Sequence, residues 1–295
     1  MLTAALPGEP IPPPLVPRQP QGASENDSRK DDGSSGGEQK DHHAGSYMGY
    51  KSETLLRVAA LNVGRFPIDP QEPKMNDLFS HVRKTQLDKM GFSEFGLNPL
   101  ALTSHQQWSE RSRGQFEMLK SRISFNEHIQ GTEPTLWGGT GIMCLNRTAA
   151  RVFKSGQDPT GMGRWTWMRL RGKGMNLRIA SVYRPCDSSG PTSVSGQQHT
   201  VLLDDGIDDN PRKAFLEDLL LEATDWKAAG DHLIIMGDFN EDVRMGAVYN
   251  MLDELEMVEA ITTYHENTEL PATYKHNQSG TVIDGIWITR GIQVR

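Results

Sequence analysis

The chain has 295 residues, a formal net charge of −7 and two cysteines, Cys144 and Cys186. The negative charge argues against a protein that coats nucleic acid non-specifically, but it is compatible with an enzyme that has a local basic groove. Cysteines outside any CxxC pattern exclude a disulfide framework and a cysteine-based zinc site, and they favour a reducing compartment. No apolar run is long enough to span a bilayer or to form a signal-peptide core, so we expect an intracellular protein of the nucleus or cytoplasm.

The first 50 residues differ in composition from the rest of the chain. Prolines are frequent at the start, and Ser, Gly and charged residues with hardly any aromatics follow. Such a segment cannot bury enough apolar surface to offset the entropy of ordering, so residues 1–50 are predicted to be a disordered tail. The folded domain is therefore predicted to cover residues 51–295.

In the first half of this domain, predicted strands end at polar residues. The β-branched and apolar run at residues 55–63 predicts an interior strand that ends near Asn62, and residues 87–92 predict a short strand that ends just before Glu94. A helix between them is predicted by apolar residues at helical spacing, namely Met75, Leu78, Phe79 and Val82. Glu94 on its own could equally be an exposed surface acid.

A strongly basic stretch follows at residues 147–178, where eight Lys or Arg residues accompany a single acid. Tryptophans that alternate with polar residues predict that residues 164–171 form a half-buried strand with arginine side chains on one face. Arg164 and Arg169 are therefore candidates for substrate binding, because such a face would attract a phosphodiester backbone. The alternative is a solvated edge strand that uses its charge to prevent aggregation.

The next predicted strand, residues 176–183, ends at Tyr183 and is stopped by Arg184 and Pro185. A tyrosine in this position is more often a packing residue, but its hydroxyl could donate to a phosphate oxygen. The polar residues 186–209 are predicted to form a long substrate-facing loop.

A helix is predicted to begin at Asn210–Pro211 and to lead into an apolar run from Leu233. This run breaks at Gly237 and presents Asp238 and Asn240, whose side chains lie on the same face of a strand. A carboxylate and a carboxamide placed together could orient a hydrated Mg²⁺, an attacking water or a phosphate oxygen. Because Gly, Asp and Asn also form turns, a simple turn is the alternative.

Short segments with polar residues at strand ends recur along the domain. They are Leu61-Asn62-Val63, Ser93-Glu94, Ser181-Val182-Tyr183-Arg184-Pro185, Gly237-Asp238-Phe239-Asn240 and Ile283-Asp284-Gly285-Ile286-Trp287. In this order they resemble the motifs of the endonuclease/exonuclease/phosphatase superfamily. Within it they look most similar to the endonuclease domains that accompany retroelement reverse transcriptases. Gly-Asp-Phe-Asn after an apolar strand is the most specific of them.

The resemblance implies an α/β fold, a four-layer α/β sandwich with two facing β-sheets flanked by helices. It implies that Glu94 and Asn62 hold Mg²⁺, for which Mn²⁺ could substitute. It assigns catalytic roles to Tyr183, Asp238, Asn240 and Asp284. In this scheme Asp238 orients or deprotonates the attacking water, and Arg184 is a further candidate for substrate binding.

The resemblance is incomplete in two places. Some family members carry an acid where this chain has Gly64, and no residue after Asp284 supplies the His of the family's Ser-Asp-His motif. The domain is therefore expected to be truncated at its C-terminal end. The leading expectation is a Mg²⁺-dependent phosphodiester hydrolase, a nuclease with a DNA or RNA substrate. The alternatives are a catalytically impaired nucleic-acid-binding member of the same fold and a phosphoinositide or sphingolipid phosphatase.

Overall fold

The described residues form two six-stranded sheets, a short hairpin and flanking helices. The computed structural model describes residues 2–5, 51–188, 190–264, 272–276 and 279–294. The strands are β1 (Leu2–Ala5), β2 (Leu55–Asn62), β3 (Lys89–Ser93), β4 (Leu119–Ser124), β5 (Thr140–Leu145), β6 (Val152–Gln157), β7 (Trp165–Arg171), β8 (Asn176–Tyr183), β9 (Asp231–Asp238), β10 (Met257–Glu259), β11 (Tyr274–His276), β12 (Ser279–Thr281), β13 (Asp284–Thr289) and β14 (Gln293–Val294). The helices are α1 (Pro73–Lys84), α2 (Trp108–Ser112), α3 (Asn146–Arg151), α4 (Val194–Asp204), α5 (Pro211–Ala228), α6 (Ala247–Glu254) and α7 (Ala260–Tyr264), and a short 3₁₀ helix covers Ser104–Gln106.

Each large sheet contains a parallel pair of strands near its centre. The strand order is β14-β1-β2-β3-β5-β4 in the first sheet and β10-β13-β9-β8-β7-β6 in the second. β2 runs parallel to β3, and β8 runs parallel to β9. The C-terminal ends of a parallel pair lie at the same edge of a sheet, so each sheet brings two strand ends together there.

The apolar core is divided into layers by the two sheets. One cluster lies between them, with Val58 and Ile142 from the first sheet and Ile179 and Met236 from the second. A second cluster packs α1 on the outer face of the first sheet, and a third packs α5 and α6 on the outer face of the second sheet. The order of layers is helices, sheet, sheet, helices, which is the predicted four-layer α/β sandwich.

Several elements match the sequence prediction closely. The strand predicted at residues 176–183 is β8, and all four apolar residues predicted for the first helix are buried in α1. α5 begins after Asn210, whose side-chain oxygen accepts the N–H of Arg212 at 2.8 Å. Such an N-cap is what the Asn-Pro pair predicted.

Residues 186–209 differ from the predicted loop, because α4 occupies Val194–Asp204 in the middle of this segment. Its apolar residues Val201 and Leu202 are buried against Met162, in the segment before β7, and against Ala214 in α5. Ser193 caps the helix by accepting the N–H of Gly196 at 3.0 Å. This helix depends on tertiary packing more than on a strong periodic pattern.

The N-terminal residues Leu2–Ala5 form a strand that pairs antiparallel with β2 and β14. These four residues differ from the disorder predicted for residues 1–50, because the open edge of β2 offers them backbone hydrogen-bond partners. Residues 6–50 lie outside the described residues, and the C-terminal truncation stays a prediction. In the described parts of the chain, no helix has the length and apolar character needed to cross a membrane.

Candidate active site

A side-chain hydrogen bond joins the ends of the two sheets. Asn62, the last residue of β2, donates from Nδ2 to Oδ2 of Asp238, the last residue of β9, over 2.8 Å. The N–H of Gly64 donates to Oδ1 of Asn62 at 2.8 Å and so fixes which end of the amide faces Asp238. Two of the residues predicted for the site therefore meet across the two sheets.

A second side-chain hydrogen bond between the sheets lies beside the first. Tyr183, at the end of β8, is the register partner of Asp238, and its hydroxyl donates to Oε1 of Glu94 at 2.9 Å. Glu94 has a φ of 52°, a left-handed conformation that glutamate seldom adopts. The N–H of Arg65 donates to the Glu94 carbonyl oxygen at 2.8 Å. Backbone strain of this kind is concentrated at functional sites, where surrounding contacts hold it in place.

Ser93, for which no role was predicted, holds the ends of β8 and β9 in place. Its side chain is buried, and Oγ donates to the Val182 carbonyl at 3.0 Å and accepts the N–H of Asp238 at 3.2 Å. One hydroxyl thus links the ends of β3, β8 and β9. The available signal was a small polar residue at the end of an otherwise apolar strand, directly before Glu94.

Asp284 and Asn240 complete the cluster. Asp284, the first residue of β13, is the register partner of Asp238, and its N–H donates to Oγ1 of Thr273 at 3.1 Å. The N–H of Asn240 donates to Oδ1 of Asp238 at 2.9 Å, and Nδ2 of Asn240 donates to the Arg184 carbonyl at 2.7 Å. The residues predicted for catalysis and metal binding therefore share one edge of the molecule.

Carboxylates crowd this edge and change each other's proton affinity. Burial and then the neighbouring Asp284 carboxylate raise the pKa of Asp238 to about 7. Burial also raises the pKa of Asp284, and the Glu94 carboxylate raises it further. Burial, followed by Glu94, raises the pKa of Tyr183 far above its ordinary value, so the hydroxyl remains a hydrogen-bond donor.

The sequence matches the Endonuclease/Exonuclease/phosphatase family over residues 59–295. The chain belongs to this family. No curated protein matches it.

Solved structures with a similar fold include both nucleic-acid enzymes and a sugar phosphatase. A 3′ phosphatase from Neisseria, bound to a product DNA hairpin, is 12% identical with a TM-score of 0.52, and the match covers 80% of this chain and 87% of that one. The APE2 catalytic domain of Xenopus laevis is 16% identical with a TM-score of 0.52, covering 79% and 82%. A mannosyl-6-phosphatase from Bacteroides thetaiotaomicron is 12% identical with a TM-score of 0.50, covering 80% and 86%. At these identities the likeness shows the fold.

Members of this family generally use a divalent metal ion, and the residues at this edge fit one. In the described ranges, no three His, Cys, Asp or Glu side chains form a ready-made metal-binding group. Mg²⁺ does not require one, because it usually keeps several waters and binds through one or two carboxylates plus substrate phosphate. The carboxylates of Glu94 and Asp284 raise the pKa of Asp238, and Glu94 raises that of Asp284, so negative charge is concentrated at this edge. Asn62 adds an amide oxygen. This all-oxygen donor set suits a hard cation.

The prediction that Arg164 binds substrate is wrong. Its side chain is 1% exposed, with Nε 2.7 Å from Oδ2 of Asp158 and Nη2 2.8 Å from Oδ2 of Asp218. The strand that follows it, β7, is not half-buried as predicted, because it lies inside the second sheet and is covered on both faces. Buried charges must be paired, so this guanidinium is taken up by its ion pairs with the two aspartates.

Arg169, the second arginine predicted to bind substrate, is also held in an ion pair and lies away from the candidate site. Nη2 of Arg169 lies 2.6 Å from Oδ1 of Asp231, a fully buried carboxylate that also binds Arg178 at 2.8 Å. Asp231 begins β9 and Asp238 ends it, so the two carboxylates are separated by roughly 20 Å of extended strand. Arg169 is therefore at the opposite end of the sheet from the candidate site.

Arg184 remains beside the cluster but is not a free cation. Its N–H donates to the Asp238 carbonyl at 3.0 Å, while Nη1 lies 3.0 Å from Oε2 of Glu241. Burial and then the neighbouring Arg212 lower the pKa of Arg184 to about 10. The ion pair with Glu241 orients Arg184 next to the site. Its role in substrate binding stays a prediction.

Proposed function

We propose that this protein is a Mg²⁺-dependent phosphodiester hydrolase and that its substrate is a nucleic acid. The observation that carries the proposal is the convergence of strand ends from both sheets, made by the Asn62–Asp238 bond of 2.8 Å and the Tyr183–Glu94 bond of 2.9 Å. A phosphodiester is an anion that repels hydroxide. Its hydrolysis therefore needs positive charge at the phosphate, an aimed water and donors for the phosphate oxygens.

Asp238 is the residue best placed to act on water. Both of its side-chain oxygens accept a hydrogen bond, one from Asn62 and one from the N–H of Asn240, so the carboxylate cannot rotate freely. A pKa of about 7 also suits a general base that works near neutral pH. In this role Asp238 orients the attacking water and accepts its proton.

The other polar groups are suited to the phosphate and the cation. The Tyr183 hydroxyl, which now donates to Glu94, is a donor for a phosphate oxygen. Asn240 presents its amide at the same edge, and Asp284 lies beside Asp238. Glu94 with Asn62 would hold Mg²⁺ or Mn²⁺, and a bound ion would supply the positive charge that offsets the charge of the phosphate.

The choice of nucleic acid is supported by the fold neighbour from Neisseria that carries a DNA hairpin. The basic stretch that first suggested it gives less support, because Arg164 and Arg169 are both held in ion pairs with carboxylates. Because these arginines are paired, a second candidate function also stands: a phosphatase that acts on a phosphorylated lipid headgroup or a related small molecule. Both candidates use the same carboxylate-rich edge.

Hydrolysis of a substrate panel tests the proposal. The panel contains supercoiled plasmid, abasic duplex, single-stranded RNA and an inositol phosphate, each in Mg²⁺ and in chelator. We expect metal-dependent cleavage of a nucleic acid that Asp238→Ala abolishes and that Asp253→Ala, an exposed aspartate on α6, leaves unchanged. Faster turnover of the inositol phosphate would favour the second candidate, and cleavage that survives in Asp238→Ala would refute the assignment of the site.

A further inference from the structure

Trp137 is an exposed aromatic side chain next to the candidate active site. It is 57% exposed, whereas the other five tryptophans of the chain are at most 8% exposed. An indole is large and mostly apolar, so leaving it in water forgoes a substantial gain from burial. An exposed tryptophan beside a site is therefore a candidate contact for a ligand with a flat apolar face.

The loop that carries Trp137 is fastened to the segment that carries Glu94. The N–H of Gly96 donates to the carbonyl of Gly138 at 2.9 Å, and the N–H of Leu136 donates to the carbonyl of Gly96 at 3.2 Å. On the other side, a Cβ placed on Gly138 would lie 3.6 Å from Cε1 of Tyr183. The two neighbours of Trp137 in sequence are thus bonded to Gly96, two positions after Glu94, and one of them, Gly138, lies next to the ring of Tyr183.

Arg65 holds the exposed indole in place from a second loop. The centre of its guanidinium lies 5.7 Å from the centroid of the Trp137 ring, within the range of a cation–π contact. Arg65 follows Asn62 by three positions, and its N–H donates to the Glu94 carbonyl at 2.8 Å. In the described parts of the chain, no carboxylate forms an ion pair with Arg65, in contrast to Arg164. Its positive charge is therefore available to an anion at the mouth of the site.

From this arrangement we propose that Trp137 and Arg65 form a nucleotide subsite beside the scissile phosphate. The base stacks on the open part of the indole, and the guanidinium contacts a backbone phosphate. Every nucleobase has an aromatic face, so such stacking tolerates any sequence and selects a base that is not held in a duplex. An inositol phosphate offers no aromatic face. The inference rests on the proposed function for the identity of the substrate class.

Binding in chelator tests the subsite without requiring catalysis. The probe is a fluorescent single-stranded oligonucleotide, compared with one of equal length in which the bases are replaced by abasic sites. We expect Trp137→Ala to weaken binding of the normal oligonucleotide by at least about 5-fold and to leave binding of the abasic one unchanged. Equal affinity of Trp137→Ala and wild type for the normal oligonucleotide would overturn the proposal, and so would an equal loss for both probes.

Phe153→Ala is the matched control. Phe153 is also a partly exposed aromatic, 40% exposed, and lies under Arg169 and Arg171 at 5.3 and 4.8 Å. It is the second residue of β6, beside the end of β7 that is far from the candidate site. This variant is expected to bind both oligonucleotides like the wild type. A loss in Phe153→Ala equal to that in Trp137→Ala would overturn the proposed location.

The contribution of Arg65 is measured through salt. Each phosphate contact on a single strand adds roughly 0.7 to the slope of log affinity against log salt concentration. Arg65→Gln should therefore lower that slope by roughly this amount. An unchanged slope would refute the phosphate contact.

Turnover separates this inference from the proposed function. On the normal oligonucleotide, Trp137→Ala should raise KM and leave kcat close to that of the wild type, because the indole is not among the groups placed at the reacting atoms. Asp238→Ala should lose cleavage but keep binding that depends on Trp137. If the wild type cleaves nothing, the proposed function fails while the binding result still decides the subsite. If cleavage occurs and Trp137→Ala matches the wild type in KM, the subsite fails alone.

Discussion

Replacing Asp238 with Asn is expected to stabilise the metal-free protein at alkaline pH. The pKa of Asp238 is raised from 3.8 to about 7 by burial and by Asp284, so the folded state binds a proton that the unfolded state has already released. Stability contributed by this proton is present below pH 3.8 and is lost as pH rises toward 7. Above that pH the charged carboxylate opposes folding, and an amide does not.

The size of the effect follows from two opposing contributions. A rise of about three pKa units corresponds to about 4 kcal/mol as an upper bound on what the charge costs. The amide loses one acceptor, although both oxygens of Asp238 now accept hydrogen bonds, from Asn62 and from Asn240. An unmatched buried donor costs about 1–3 kcal/mol. We therefore expect a net stabilisation of about 1–3 kcal/mol at alkaline pH, and a loss of similar size in acid, where the wild-type carboxyl is neutral.

Urea unfolding in chelator, at about pH 5 and about pH 8, measures the difference. At each pH, the free energy of unfolding of the wild type is subtracted from that of Asp238→Asn. This difference should be larger at the higher pH than at the lower pH. Asp253→Asn, on the exposed side of α6, is the control and should give no such difference. The same value at both pH conditions would refute the reasoning. Adding Mg²⁺ should raise the free energy of unfolding of the wild type more than that of Asp238→Asn, because the bound cation offsets the charge of the Asp238 carboxylate.

Three further substitutions test the site and the packing that positions it. Gly91→Ala should destabilise the fold by about 1–3 kcal/mol in denaturant unfolding, because its Cβ would lie 2.7 Å from Oγ of Ser181 in the other sheet; wild-type stability would show that the sheets can move apart. Asp231→Ala should cost about 3–5 kcal/mol, because it leaves the buried Arg178 and the half-buried Arg169 without their carboxylate, and a shift in Tm below that expected for 1 kcal/mol would contradict this role. Tyr183→Phe should lower kcat by roughly 10²-fold through loss of the donor that now binds Glu94, measured on whichever panel substrate is cleaved, and an unchanged kcat would exclude that donor from the reaction.

The positions of the main strands and their polar ends could be predicted from sequence because these features are local. The apolar run before Gly237 predicts a buried strand wherever it is placed, and Asp238 must follow it. The four apolar residues of α1 likewise lie on one face by the geometry of a helix alone. The resemblance to the family then joined these separate strand ends into one site, and the structure places all of them at one edge.

The errors arose where a side chain's partner is distant in sequence. Arg164 and Arg169 are basic residues in a basic stretch, and the stretch itself contains one acid, Asp158. Their other partners, Asp218 and Asp231, are more than 50 positions away, so the neutralisation of the basic face is invisible along the chain. α4 was missed for a similar reason, because its buried residues pack against elements before and after it.

The sequence by itself determined which residues could form strands, which strand ends carry oxygen-rich side chains, and the family to which those motifs belong. The tertiary structure decided which charges are free. It placed Arg164 and Arg169 in ion pairs, gave Ser93 of the first sheet its bonds to two strands of the second sheet, and left Trp137 with Arg65 exposed beside Glu94 and Tyr183. The reason is that periodicity and strand ends follow from backbone geometry over a few residues, whereas the charge and exposure of a side chain depend on every segment that packs against it.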